Sequence, residues 1–329
     1  MTDASMTREV ARRTGLRISF FVAAIVSAAL VGLLVGARCP APGPQGGGLV
    51  EFGARDRGAG IESEDALGVN PLFTWAELEP REGQYDWRPL DRVLDTAYAN
   101  GKRVVLRIYT NASDFHVATP QWVFDAGAQS YVWAEGSGTR QPIPTDPVFT
   151  EKFARFVAAL GRRYNAHPAL EMVQTNAAMG GYGEMIWGLQ PADNPPGWSP
   201  AVQIGTTRAW LDRWRAAFPD TPLSLTVNFI GNGIAETLAQ DAVDRSFYLQ
   251  SNTPRLAPQM VDILRHHARR TKVIVEIENN GCQGAQGDEF AALVGDLFAS
   301  GVPVDYLSVC GQTLRDSRAV GAALAGLRK

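Results

Sequence analysis

The chain has 329 residues, 45% of them hydrophobic and 20% charged, with a net charge of −3. This is ordinary globular composition, and no Lys/Arg stripe runs through the body to serve a nucleic-acid partner. The three cysteines, Cys39, Cys282 and Cys310, form no CxxC or Cys/His cluster, so the spacing indicates no structural zinc site.

Residues 1–17 form a basic tail with Arg8, Arg12, Arg13 and Arg17. Ile18–Gly36 follows, an uncharged and mostly apolar run of 19 residues, just long enough to span a bilayer. The arginines before it place the tail in the cytoplasm and everything after it outside. Residues 18–38 are therefore expected to be a transmembrane anchor, with a cleaved signal as the alternative. Gly36-Ala37-Arg38 is a poor cleavage site. The Pro/Gly-rich residues 39–48 read as a linker, and residues 49–329 as one folded domain.

Eight short apolar runs in that domain read as strands: 48–54, 70–77, 103–110, 170–177, 223–230, 246–252, 272–279 and 304–311. Helical spacing is expected over 88–101, over 146–168 with Asp146 as N-cap and Pro147 at the first position, and over 206–219, 253–270, 288–301 and 317–329. His266 and His267 read as part of a solvated, basic helix end. Alternating strands and helices imply a parallel sheet covered by helices, and eight strands in this length match a (β/α)8 barrel. An open doubly wound sheet would carry a Gly-rich phosphate turn after its first strand, and GARDRGAG at 53–60 does not fit that pattern.

The run Phe73-Thr74-Trp75-Ala76-Glu77-Leu78-Glu79-Pro80, then Glu82-Gly83-Gln84-Tyr85-Asp86-Trp87 and Leu90-Asp91, resembles the end of the second strand in clan A glycoside hydrolases. The likeness is nearest to the family forty-two β-galactosidases and is tight over residues 70–107. It implies a βα loop at the sugar-holding end of a barrel. Trp75 is then expected to offer a sugar its flat face, and Glu77, two residues on, to point the same way along a strand. Tyr85-Asp86-Trp87 read as the entry to the next helix.

Glycosidic hydrolysis needs two carboxyl groups. The resemblance implies an acid/base after the fourth strand and a nucleophile at the end of the seventh. The clan's usual Asn-Glu pair is replaced here by Asn176-Ala177. The next acid is Glu184, behind the flexible Gly180-Gly181-Tyr182-Gly183, so Glu184 is the acid/base candidate. On the seventh strand, alternation places Ile274, Glu276 and Glu278 on one face and Val273, Val275 and Ile277 on the other. Glu276 or Glu278 is the nucleophile candidate, because a carboxylate inside a barrel is costly unless paired or functional. Arg107, inward with Arg103, Val105 and Tyr109, is the expected counter-charge; a purely structural Arg-Glu bridge is the competing reading. Asn176, Gln174, Tyr182, Asn228, Gln250 and Gln312 complete the expected substrate contacts. Trp122, Trp133, Trp187 and Trp198 offer further stacking faces, and residues 111–145 form a long loop.

These readings converge on a membrane-anchored or secreted barrel hydrolase of the retaining type, acting on a carbohydrate with two glutamates. No metal, cofactor or nucleic acid is required. The alternative is a catalytically silent barrel that binds a cell-envelope polysaccharide or helps assemble it, which the missing Asn-Glu pair favours.

Overall fold

Side-by-side pairing of eight parallel strands closes the sheet on itself in the computed structural model. It describes residues 46–111, 118–132, 140–175, 187, 194–227, 233–277 and 287–327, all within one compact unit, Pro44–Lys329. The strands are β1 (Gly48–Phe52), β2 (Ala66–Asn70) with its continuation β3 (Leu72–Thr74), β4 (Arg103–Tyr109), β7 (Leu170–Thr175), β8 (Leu223–Thr226), β9 (Phe247–Ser251), β10 (Val273–Ile277) and β11 (Tyr306–Val309). Each pairs with its successor, and β11 pairs back onto β1, which makes a (β/α)8 barrel.

The second strand starts earlier than its sequence suggests. Its first half is ALGVN, a weak strand signal because of Gly68. There the backbones approach so closely that a Cβ would sit 1.8 Å from the Arg103 carbonyl oxygen. Pro71 interrupts the strand and β3 resumes it. The strand then ends at Thr74, whose hydroxyl accepts from the Glu77 amide at 3.1 Å and starts a helical turn, Trp75–Leu78.

The expected helices form over Arg88–Ala99, Pro147–Tyr164, Pro200–Ala217, Pro258–His267, Gly287–Ala299 and Ser317–Gly326. Asp146 caps the second of these by accepting from the Phe149 amide at 2.9 Å. The sequence reading missed the helix Ala235–Asp244, whose buried stripe of Ala235, Leu238, Ala239, Ala242 and Val243 is rich in alanine. Residues 111–145 also hold more structure than expected. A helical turn Gln121–Asp125 precedes an antiparallel hairpin of β5 (Ser130–Val132) and β6 (Arg140–Pro142). Among the described residues no helix is long and apolar enough to cross a membrane. The basic tail, Ile18–Gly36 and most of the linker lie outside them.

Inside the barrel, Val50, Val105, Met172, Ile274 and Tyr306 form an apolar layer. Nearer the strands' N-terminal ends lies a buried polar group. The Tyr306 hydroxyl donates to Glu171 at 2.8 Å, Lys272 donates to Tyr306 at 3.3 Å, and Arg103 lies 3.7 Å from Glu171. Burial pushes the Glu171 carboxyl up, opposed by the Tyr306 hydrogen bond and by Arg103 and Lys272. The folded state thus binds this proton more tightly than the unfolded chain. The associated stability is full below the unfolded value and is lost as pH rises through the elevated folded value. Urea midpoints of the wild type and Glu171→Gln, compared between about pH 4 and pH 8, should shift in the variant's favour as pH rises. A pH-independent difference would contradict this.

The segment 75–87 is the hub of an outer aromatic layer. Glu79 accepts from Trp75 Nε1 at 2.7 Å and from the Gly83 amide at 2.8 Å, while its backbone carbonyl accepts from Trp122 Nε1 at 3.0 Å. Trp75 meets Trp122, Phe149, Phe153 and Phe156 at ring-centroid distances of 5.6, 6.2, 5.1 and 5.9 Å. Glu82 bonds Lys152 and Arg155 of the same helix, both at 2.6 Å. Glu79→Ala would strand two donors and should cost about 2–4 kcal/mol in urea unfolding, with Glu79→Gln costing less.

Candidate active site

The strand period of two stacks a second layer on the apolar one, toward the C-terminal ends. Two residues beyond Val50, Val105, Met172, Ile274 and Tyr306 stand Phe52, Arg107, Gln174, Glu276 and Ser308. Asn70 at the end of β2 stands beside Phe52 in register, while Gln250 on β9 pairs with Ile274 of the layer below. In this fold the C-terminal end is where active sites are built.

Arg107, Glu276, Gln174, Asn70 and Ser308 form one connected network. Arg107 Nη2 donates to Glu276 Oε2 at 2.5 Å, and Arg107 Nε donates to Gln174 Oε1 at 2.7 Å. Asn70 Nδ2 donates to the same Gln174 oxygen at 3.0 Å and to the Val105 carbonyl at 2.6 Å. Ser308 Oγ donates to Asn70 Oδ1 at 3.2 Å. Arg107 also reaches the Tyr109 hydroxyl at 3.3 Å, and its guanidinium lies 5.8 Å from the Phe52 ring. On the other side Ser224 donates to Gln250 Oε1 at 3.1 Å, and Gln250 donates to Asn252 at 2.7 Å. Glu276 is 3% exposed and Arg107 1% exposed. Gln174 Nε2 is buried with no hydrogen-bond partner among the described residues, a donor that a ligand hydroxyl would satisfy.

The structure thus brings together Glu276, Arg107 and Gln174, with Gln250 in a separate cluster with Ser224 and Asn252. Gln312 is exposed in a short helix, Gly311–Leu314, just past the end of β11. Glu184, Glu278, Asn176, Tyr182 and Asn228 lie outside the described residues. Two expectations are corrected. Trp75 is 0% exposed within the outer aromatic layer, so its face is closed to a ligand. Glu77 does not share its direction, because 75–78 is helical rather than extended, and its carboxylate pairs with Arg55 at 2.7 Å. The stacking faces also change. Trp122 is held against Trp75, Trp187 is 1% exposed, and Trp198 donates to Gln203 at 3.0 Å; Trp133 lies outside the described residues. His267 is fully buried rather than solvated, with Nε2 3.0 Å from Glu236.

Asn70, Ser308, Ser224, Phe52 and Tyr109 were not expected as members of the site. Counting by twos from Tyr306 would have found Ser308. Asn70 was hidden because the second strand was placed four residues too late.

Against known proteins, residues 66–186 match the family model described as β-galactosidase, in glycoside hydrolase family forty-two. The β-galactosidase BgaB of Geobacillus sp. is 32% identical over 111 residues, 32% of this chain and 16% of that protein. A β-galactosidase of Arthrobacter sp. is 30% identical over 168 residues, 48% of this chain and 23% of that protein. The chain thus spans less than a quarter of the length of these relatives. In fold, the catalytic domain of a β-amylase from Paenibacillus polymyxa aligns with a TM-score of 0.61 at 9% identity, covering 83% of this chain and 94% of that one. A β-galactosidase from the psychrophilic Marinomonas ef1 aligns at 0.56 and 15% identity, covering 85% and 59%. The resemblance to the clan A (β/α)8 glycoside hydrolases therefore holds, in sequence over the first half of the barrel and in fold throughout.

Removing the Arg107 guanidinium would leave the Glu276 carboxylate buried without its counter-charge. Arg107→Met should lower unfolding free energy by about 3–5 kcal/mol, whereas the double variant Arg107→Met/Glu276→Leu should recover much of the loss. Urea denaturation of the two variants measures both.

Proposed function

We propose that this chain is a glycoside hydrolase working outside the cytoplasm, with Glu184 as acid/base and a β10 glutamate, Glu276 or Glu278, as nucleophile. The observation that carries the reading is the buried Arg107–Glu276 pair, set in a layer of amides and hydroxyls at the C-terminal end of the barrel. A carboxylate at that place, fixed by an arginine and surrounded by groups able to bond hydroxyls, suits attack at an anomeric carbon. The β-galactosidase relatives make a β-galactoside the first substrate to try. Retention requires the two carboxyls to lie about 5–5.5 Å apart.

A separate observation supports the location. Cys310, at the end of β11, is disulfide-bonded. Disulfides persist in oxidising compartments, as expected for a domain that follows an anchor or signal at residues 18–38.

Full-length protein assayed on aryl β-galactosides and then a panel of aryl glycosides should show turnover. Glu184→Gln and the nucleophile's Gln variant should each lose at least about 100-fold in kcat/KM. Azide should restore turnover to the Ala variant of the nucleophile, and so choose between Glu276 and Glu278. Unchanged turnover in both Glu184→Gln and Glu278→Gln would end the assignment. Glycan binding by the wild type with no cleavage of any substrate would favour the silent-barrel alternative that Asn176-Ala177 suggests.

A further inference from the structure

Outside the barrel, the two helices on either side of β9 bring three ligating groups to one point. Glu236 lies in the first turn of Ala235–Asp244, and His266 and His267 close Pro258–His267. One donor atom from each lies within 4.8 Å of the other two. His267 Nε2 stands 3.0 Å from Glu236 Oε1, and the two imidazole rings meet edge to face at 4.8 Å. Convergence of this kind is not expected of an ordinary surface. Neighbouring residues on a helix diverge, yet both rings here turn toward the same carboxylate.

The three groups differ in setting. His267 is fully buried and therefore fixed in position, while Glu236 and His266 are exposed. A cation can thus approach from solvent, meet a preset imidazole, and be closed over by two side chains that remain free to adjust. Two imidazole nitrogens and one carboxylate oxygen form a donor set suited to borderline divalent ions, Zn²⁺ above all, and poor for Mg²⁺ or Ca²⁺. The last turn of Pro258–His267 adds the negative end of a helix dipole.

We propose that Glu236, His266 and His267 form a Zn²⁺ site that clamps these two helices together. His267 binds through Nε2, so its proton moves to Nδ1. That atom is buried with no partner among the described residues, which limits the affinity to the micromolar range. Water fills the remaining coordination positions. The site is a structural clamp, independent of the barrel's chemistry.

The test is calorimetric titration of untagged, full-length, chelator-treated protein with ZnCl₂, together with thermal melts. One Zn²⁺ per chain should bind with micromolar affinity, and about 100 μM Zn²⁺ should raise the melting temperature by about 3 °C. MgCl₂ should do neither. His266→Ala and Glu236→Gln should each weaken binding at least about tenfold and remove the thermal shift, while melting of the metal-free protein stays within about 1 °C for the exposed His266→Ala. Failure of the wild type to bind at about 100 μM, or undiminished binding by the combined His266→Ala/Glu236→Gln variant, overturns the proposal.

Discussion

Two charges removed from water together set the character of the barrel interior. Arg107 stands on β4 and Glu276 on β10, half-way round the ring from one another, so their contact crosses the lumen. Desolvating both ions costs several kcal/mol each, and their attraction offsets this only when the remaining donors and acceptors are also satisfied. That requirement explains the residues around them. Gln174 accepts from the guanidinium, Asn70 orients Gln174, and Ser308 orients Asn70. Strands β2, β4, β7, β10 and β11 each contribute one member, so the network also fixes how the staves stand against one another. A hydroxyl-rich ligand entering at this height would meet groups whose positions are already determined, which reduces the reorganisation that binding requires.

The segment that carries the sequence resemblance does different work. Its tryptophan, its second glutamate and its glycine are bound to each other, with Trp75 and Gly83 both donating to Glu79. Glu82 then fastens the segment to the helix Pro147–Tyr164. The likeness to the β-galactosidases in this stretch therefore reflects how a loop is welded to the helical shell. It says little about how a sugar is held. The family match over residues 66–186 includes this stretch, and the fold likeness covers 83% of the chain.

What could be read from the sequence follows the rigidity of each periodicity. A strand's alternation is strict, so once the seventh strand was placed, Glu276 had to face inward, and the same count on β4 made Arg107 its partner. Trp75 and Glu77 were misread because alternation was continued past the strand's end. The signal for that end was present: Thr74 followed three residues later by Glu77 matches the start of a capping box, and the Thr74 hydroxyl does accept from the Glu77 amide. Asn70 escaped because Gly68 weakens the strand pattern, and the reason for that glycine is a backbone contact with β4 that no local pattern encodes. The alanine-rich helix Ala235–Asp244 escaped for a related reason, its buried face being made largely of side chains too small to mark a hydrophobic stripe.

The interior has three heights, and their order bears on where chemistry can occur. Lowest is the Arg103, Glu171, Tyr306 and Lys272 group; above it come Val50, Val105, Met172 and Ile274; above those lies the Arg107–Glu276 layer. Among the described residues this apolar belt lies between two sets of buried charges. In the lower group burial pushes the Glu171 carboxyl up, opposed by the Tyr306 hydrogen bond and by Arg103 and Lys272. The upper layer has the opposite boundary, with apolar side chains beneath it and the strand ends above. Among the described residues, the Arg107–Glu276 layer faces the C-terminal side of the barrel. That is the side on which β7 ends at Thr175 and β10 at Ile277.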